Sequence, residues 1–436
     1  MEVLWNWTDA FVQLLLQPFT YMAILFLMLF YRRNVVVERK IFHVRLHPWG
    51  RQTWLSLGWG LAAGLIISVA MAFIGISLTR EAVLLIWAAA ILLLLIRVRF
   101  LSFAYAIGLL GILQFAVQFF PDWQLGGIGG TLLETIRELD VTGLLILGGL
   151  LLIAEAVLVR WQAYKSALPL WMEGKRGKVV GAYQVQGFWL LPLFLLVPAS
   201  TSGHVLPWTP LLPPGWQDGF SMIALPVMLG FVEITRSMLP VQKVVATFKH
   251  LLLTAVVVLV LGICSIWWSP LAVVASAAVI LMREGLFWLG NRRENESTPL
   301  YVHPSEGLRI LAVIPGSPAD ELGIKAGETI YKVNGKLIRS AEQLHTALRM
   351  NSAFCKLEVR NLSGESKFLQ RAIFAGDHHQ LGMLLAPDPD TNRVVARKSL
   401  AIWHVIAMKS NLKNEQGVQA SHINVLPAGE KKETGM

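Results

Sequence analysis

Few residues in this chain have the types and spacing that chemistry needs, and each such set lacks a necessary member. His43 and His47 stand four apart, the spacing that puts two imidazoles on one helix face for zinc. The glutamate base of a His-Glu-x-x-His string is absent between them, and both lie in a basic stretch. Ser200-Thr201-Ser202-Gly203 lacks the first glycine of a Gly-x-Ser-Gly serine site, and Gly127-Ile128-Gly129-Gly130 lacks the aspartate of a Gly-x-Gly-Asp site. His378 and His379 read as exposed turn residues rather than metal ligands. These gaps argue against membrane-protease chemistry, so the expectation is a non-enzyme with no catalytic residues, cofactor or metal. Ionisable residues inside apolar runs remain: Glu155, Glu233 with Arg236, and Arg283 with Glu284. Each falls within two turns of an expected cytoplasmic helix end, where snorkelling or a local i,i+3 ion pair accounts for it.

The elements that carry these residues are written in the composition. The 436 residues are 55% hydrophobic and 15% charged, which excludes an ordinary soluble domain. Sixteen Trp and twenty Phe suit aromatic belts at two bilayer interfaces. Nine apolar segments approach the length of a membrane crossing, near residues 11–31, 53–76, 82–98, 101–120, 141–160, 186–200, 220–238, 250–268 and 270–289. About nine helices over residues 1–290 are therefore expected, the sixth kinked or re-entrant because of Pro192 and Pro198. The net charge of +10 resides mostly in short loops between these segments, which sets topology and argues against nucleic acid as partner. With the N-terminus outside, sixteen Lys and Arg fall in inside loops against Arg80 and Arg137 outside. That bias predicts a multi-pass protein of the cell membrane with everything past residue 290 in the cytoplasm. The first apolar run has no basic n-region, so no cleavable signal peptide is expected. Cys264 and Cys355 form no disulfide framework.

Residues 300–388 read as the soluble module. Pro315-Gly316-Ser317-Pro318 is a turn after an apolar strand, Gly323 a left-handed helix stop, and Asn334-Gly335 a two-residue hairpin loop. Ser340 to Gln343 fits a capping box, with Leu344, Ala347 and Leu348 on one helical face behind it. Cys355 to Arg360 alternates as a half-buried strand. Residues 389–436 are expected to hold a short amphipathic helix over Val394–Met408 and then disorder.

The run VIPGSPADELGIKAGETIYKVNGKLIRSAEQL, from Val313 to Leu344, resembles a PDZ domain of the bacterial, circularly permuted type. The resemblance covers under a fifth of the chain. It implies a small α+β fold that binds extended peptides by adding a strand to a sheet edge. It also implies an apolar-Gly-apolar loop whose amides receive a peptide carboxylate, glycine allowing close approach. Leu381-Gly382-Met383 matches that loop, with Leu384 and Leu385 as the following strand and Leu344 and Leu348 as the groove floor. The alternative is a core strand whose edge the chain's own tail occupies.

Many crossings followed by one cytoplasmic PDZ module is similar to the MinJ family. That resemblance implies a membrane scaffold of cell division at septum and poles, with DivIVA and MinD as partners. A transporter or channel subunit with a regulatory PDZ domain, or a regulator derived from a membrane protease, is the alternative. Charged pairs between adjacent helices at the bilayer midplane distinguish the transporter.

Overall fold

The computed structural model describes residues 2–76, 78–96, 98–120, 126–174, 177–198, 209–211, 220–351, 354–372 and 381–388. The chain begins with helices α1 (Glu2–Leu16), α2 (Pro18–Phe42), α3 (Trp49–Ile74), α4 (Arg80–Ile96), α5 (Phe103–Gln118), α6 (Ile128–Arg137) and α7 (Val141–Gln162). Gln17 is extended before Pro18, a residue suited to the first position of a helix, so the first apolar run divides into α1 and α2. α3 stops at Gly75, whose φ of 87° is open to glycine without strain. Two long helices follow later, α8 (Pro240–Cys264) and α9 (Pro270–Glu296). Among the described residues five helices are long and apolar enough to cross a bilayer: α2, α3, α7 with its short extension to Ser166, α8 and α9. α4 and α5 are apolar and shorter.

The sixth and seventh apolar segments are strands, not helices. β1 (Leu168–Glu173), β2 (Val179–Pro198) and β3 (Phe220–Thr235) form an antiparallel sheet in that order. β2 and β3 pair without interruption from Tyr183↔Thr235 to Pro198↔Phe220. The hairpin is buried on both faces, and its side chains alternate between them. Trp189, Leu191, Leu193 and Leu195 enter the main core with α5, α7 and α8. Phe188 and Leu190 pack with Leu27, Phe30 and Tyr31 of α2, and Phe194 and Leu196 with Ala10 and Leu14 of α1. A strand apolar on both faces has no visible period of two, so its run resembles a helical span.

Strand edges inside an apolar domain must be satisfied or covered. The outer edge of β2 lies against α3 at Gly60 and Gly64, where an added Cβ would meet Leu190 O at 2.2 Å and Pro192 O at 2.5 Å. Ser68 Oγ accepts from the Phe194 amide at 2.8 Å, and Leu196 O accepts from the Leu78 amide at 3.3 Å. On the β3 side, Gln17 Nε2 donates to Ala224 O at 2.8 Å. Pro192 faces Pro226 across the ladder. Neither has an N–H, so each removes a donor that would otherwise point away from the hairpin. Pro192 and Pro198 both lie within β2, so they sit in a buried strand rather than kinking a helix.

The C-terminal module contains β4 (Leu308–Val313), α10 (Pro318–Glu321), β5 (Thr329–Val333), β6 (Lys336–Leu337), α11 (Ala341–Arg349), β7 (Phe354–Arg360), β8 (Ser366–Ala372) and β9 (Met383–Leu385). Its sheet runs β8-β7-β5-β4-β9, with β6 on β5. Asn334 and Gly335 turn β5 into β6 with φ of 50° and 81°, the pair of positive values a tight two-residue loop requires. The Ser340 hydroxyl accepts from the Gln343 amide at 3.2 Å while Gln343 Oε1 accepts from the Arg339 amide at 2.8 Å, starting α11.

The module is joined to the base of the hairpin. The Tyr183 hydroxyl donates to Leu311 O at 2.5 Å, and the Gly181 amide to Tyr301 O at 2.9 Å. A Cβ on Gly181 would stand 2.7 Å from Tyr301 Cβ, so glycine permits this approach. The expected tail helix over 394–408 lies outside the described residues.

Candidate functional site

β9 ends the sheet of the module. Among the described residues it pairs with β4 alone, through Ile310↔Leu385, Ala312↔Leu384 and Val313↔Met383. Leu381 and Gly382 precede it with φ of 55° and 84°. Their carbonyls are already engaged: Leu381 O accepts from the Ala319 amide and Gly382 O from the Ile314 amide, both at 2.9 Å. A loop whose carbonyls are committed inward presents less negative charge to an arriving carboxylate.

The predicted groove residues divide between two faces. Leu344, Leu348, Leu381 and Met383 share the buried core of the module, and Leu385 packs against it. Leu384 faces the other way, into the core that contains Tyr301, Leu311 and Ala312. A period of two along β9 dictates this, so Leu384 serves the junction with the hairpin. Gly382 has a structural role of its own. A Cβ there would meet Ser317 Cβ at 2.2 Å and Ser317 Oγ at 2.3 Å. His378 and His379 lie outside the described residues.

His303 lies beside the module. Its Nδ1 accepts from the Arg309 amide at 3.1 Å, and its Nε2 is 3.4 Å from Asp388 Oδ1. An accepting Nδ1 places the ring proton on Nε2. Burial holds the imidazole below its ordinary pKa, partly opposed by Asp388. Cys355 is buried in β7, and burial pushes its thiol up to about 11, which leaves little nucleophilic thiolate.

The ionisable residues of the membrane domain pair between elements, which corrects the expectation of snorkelling and i,i+3 pairs. Arg283 on α9 reaches Glu155 on α7 at 3.1 Å, and Glu155 is 1% exposed. Ser102 donates to the second Glu155 oxygen at 2.8 Å. Glu284 accepts from Arg99 at 2.7 Å and from the Tyr105 hydroxyl at 2.9 Å. Glu233 on β3 pairs with Lys243 on α8 at 2.9 Å, not with Arg236. Arg236 instead reaches Asn295 at 2.7 Å, while its amide donates to Glu294 at 3.0 Å. Arg283 stands thirteen residues into α9, about 20 Å along the helix. A span of about 30 Å places it in the half nearer the C-terminal end of α9.

Sequence reasoning missed Arg99, Tyr105, Lys243 and Glu294 as members of this network. Separations such as the 185 residues between Arg99 and Glu284 leave no local signal. His47 sits 3.2 Å from Glu38 and His43 caps α2 in the left-handed region, so the two histidines have separate structural roles. Gly127 is the residue before α6, and Ser200-Thr201-Ser202-Gly203 lies outside the described residues.

A multi-helix membrane domain fused to a peptide-recognition fold defines a membrane protein built for interaction. A family model for the PDZ domain matches residues 309–361. The chain is 31% identical over 397 residues to the cell division topological determinant MinJ of Bacillus subtilis (strain 168), covering 88% of this chain and 96% of that protein. It is 25% identical over 368 residues to the probable cell division topological determinant MinJ of Lacticaseibacillus paracasei, covering 80% and 90%. The figures for the counterpart in Lacticaseibacillus casei (strain BD-II) are the same. The chain belongs to the MinJ family.

Proposed function

We propose that this protein is a membrane-anchored scaffold of cell division that recruits partners through its cytoplasmic loops and its PDZ groove. It performs no catalysis in this reading. One observation supports the docking role: among the described residues β9 is an edge strand, preceded by a glycine loop whose carbonyls are turned into the module. A partner's C-terminal segment adds as a further strand beside β9, with its carboxylate at the Leu381-Gly382-Met383 amides. Met383 and Leu385 face the α11 side, above a floor that includes Leu344 and Leu348.

The loop charge bias supports a cytoplasmic module and an outside N-terminus. The β2–β3 hairpin replaces two expected spans with one excursion out and back, so the parity of that count is unchanged. The division proteins DivIVA and MinD are the partners that the family resemblance implies, with septum and poles as the place of action. The interhelical ion pairs are a feature the transporter alternative also expects. They are matched acid to base, and the likeness to division determinants over most of the chain favours the scaffold.

The test is a fluorescent fusion followed through the cell cycle, native and with Leu385→Glu. Leu385 is half-buried on β9, the edge strand among the described residues, and a glutamate there repels a carboxylate without filling the Gly382 contact. Native fusion is expected at septum and poles, with a partner recruited only when residue 385 is native. Uniform membrane signal in the native fusion would falsify the scaffold. Undiminished recruitment by a folded Leu385→Glu protein removes the groove from the account and leaves the loops.

A further inference from the structure

The charge network borders a cavity of about 400 Å³ between α2, α8, α9 and the sheet. Its wall is unbalanced. Arg33, Arg99, Lys243 and Arg283 line it, with Glu233 as the acidic lining residue among those described. Three of these cations are matched: Lys243 by Glu233, Arg99 by Glu284 and Arg283 by Glu155. Arg33 has no carboxylate partner among the described residues. Three wall donors are also buried without an acceptor: Nε of Arg33, Nε of Arg99 and Nε1 of Trp171. A buried unpaired donor is costly, and half-buried Arg33 adds a cation without a carboxylate, so the wall favours an occupant that supplies negative oxygens. Phe231, Leu286 and Phe287 line the same cavity, so the occupant has an apolar part.

We propose that this cavity binds the phosphate of an anionic phospholipid, with the glycerol and upper acyl chain against the apolar wall. The tetrahedral phosphate presents several oxygens to donors that converge from different elements, and a guanidinium is the side chain best suited to it. Arg33 lies nine residues before the end of α2, about 14 Å, and Gly290 and Asn291 of the wall lie near the end of α9. In the proposed orientation that level is the inner leaflet, where anionic lipids and basic pockets between helices meet. The proposal uses the orientation given above and is independent of the PDZ groove.

The test uses the purified, delipidated full-length protein in neutral detergent, titrated with phosphatidylglycerol or phosphatidylcholine and read by native mass spectrometry. Phosphatidylglycerol is expected to bind at least tenfold more tightly than phosphatidylcholine. Arg33→Gln is expected to weaken it about tenfold, the scale of one charged hydrogen bond. Trp171→Phe, which removes the indole N–H while keeping an aromatic ring against Phe42, weakens it severalfold and reads the site independently should Arg33→Gln fold poorly. Arg32→Gln, at an exposed neighbour, leaves it unchanged. Equal binding by native, Arg33→Gln and Trp171→Phe proteins, or equal affinity for the two lipids, overturns the proposal. A parallel titration with inorganic phosphate separates the sources. Arg33-dependent phosphate binding as tight as that of the lipid assigns a soluble anion and overturns the lipid.

Discussion

Replacing Gly382 with alanine separates two reasons for a glycine in this loop, and the cost follows from the geometry. The residue sits at φ 84°, where a side chain costs about 1–2 kcal/mol. The new Cβ would also stand 2.2 Å from Ser317 Cβ, a contact that forces the turn after β4 to move at about 1–3 kcal/mol. A total near 3 kcal/mol raises the open population of the module roughly a hundredfold. Pulse proteolysis of the full-length protein in detergent reads that population. Ser317→Gly removes the clashing Cβ together with a hydroxyl that is buried without a partner. The pair Gly382→Ala/Ser317→Gly should therefore recover the steric part and retain the backbone part, leaving about 1–2 kcal/mol. Native stability for Gly382→Ala, or no recovery in the double variant, refutes the packing account. The same geometry means that a bulky residue at 382 is a poor probe of peptide binding, because it disturbs the fold directly.

Arg283→Met leaves Glu155 buried without its cation and should destabilise the protein by about 3–5 kcal/mol, whereas adding Glu155→Leu should restore most of it. Thermal unfolding in detergent checks both, and a double variant as unstable as the single would show that the pair is not the source. Lowering pH should loosen the junction around His303. Its folded pKa lies below the unfolded value of about 6.5, so the unfolded chain binds the proton first and stability falls as pH drops through that range. Hydrogen exchange of the Arg309 amide at pH 7.5 and 5.5 reads this, and His303→Gln should flatten the difference. Tyr183→Phe leaves Leu311 O without its buried donor, which costs about 1–3 kcal/mol. Faster exchange in β4, with the hairpin core unchanged, is the expected signature.

Local chemistry was readable wherever neighbours in sequence decide the conformation. Asn334-Gly335, Gly316, Gly323 and the Ser340 cap all take the conformations their residue types predict, because each depends on its own backbone and a partner within four residues. Most helices of the membrane domain were readable for a related reason, since a helix satisfies the backbone of a long apolar run within the run itself.

Three features were decided by tertiary structure. Segments 186–200 and 220–238 carry enough apolar residues for helices, yet they pair with each other because α3 brings Gly60 and Gly64 against one edge and α1, α2 and α7 cover both faces. Burial on all sides erased the alternation that marks a strand. The partners of Glu155, Glu233 and Glu284 come from distant elements, and a charge's sequence neighbours do not reveal which distant base the packing will supply. Leu384, grouped with its neighbours by sequence, turns to the membrane domain because alternate residues of a strand face opposite ways. The sequence alone determined the turns and caps of the C-terminal module and most of the apolar helices. Which edges meet, which charges pair and which core each residue of β9 enters were set by packing, because those interactions join segments far apart along the chain.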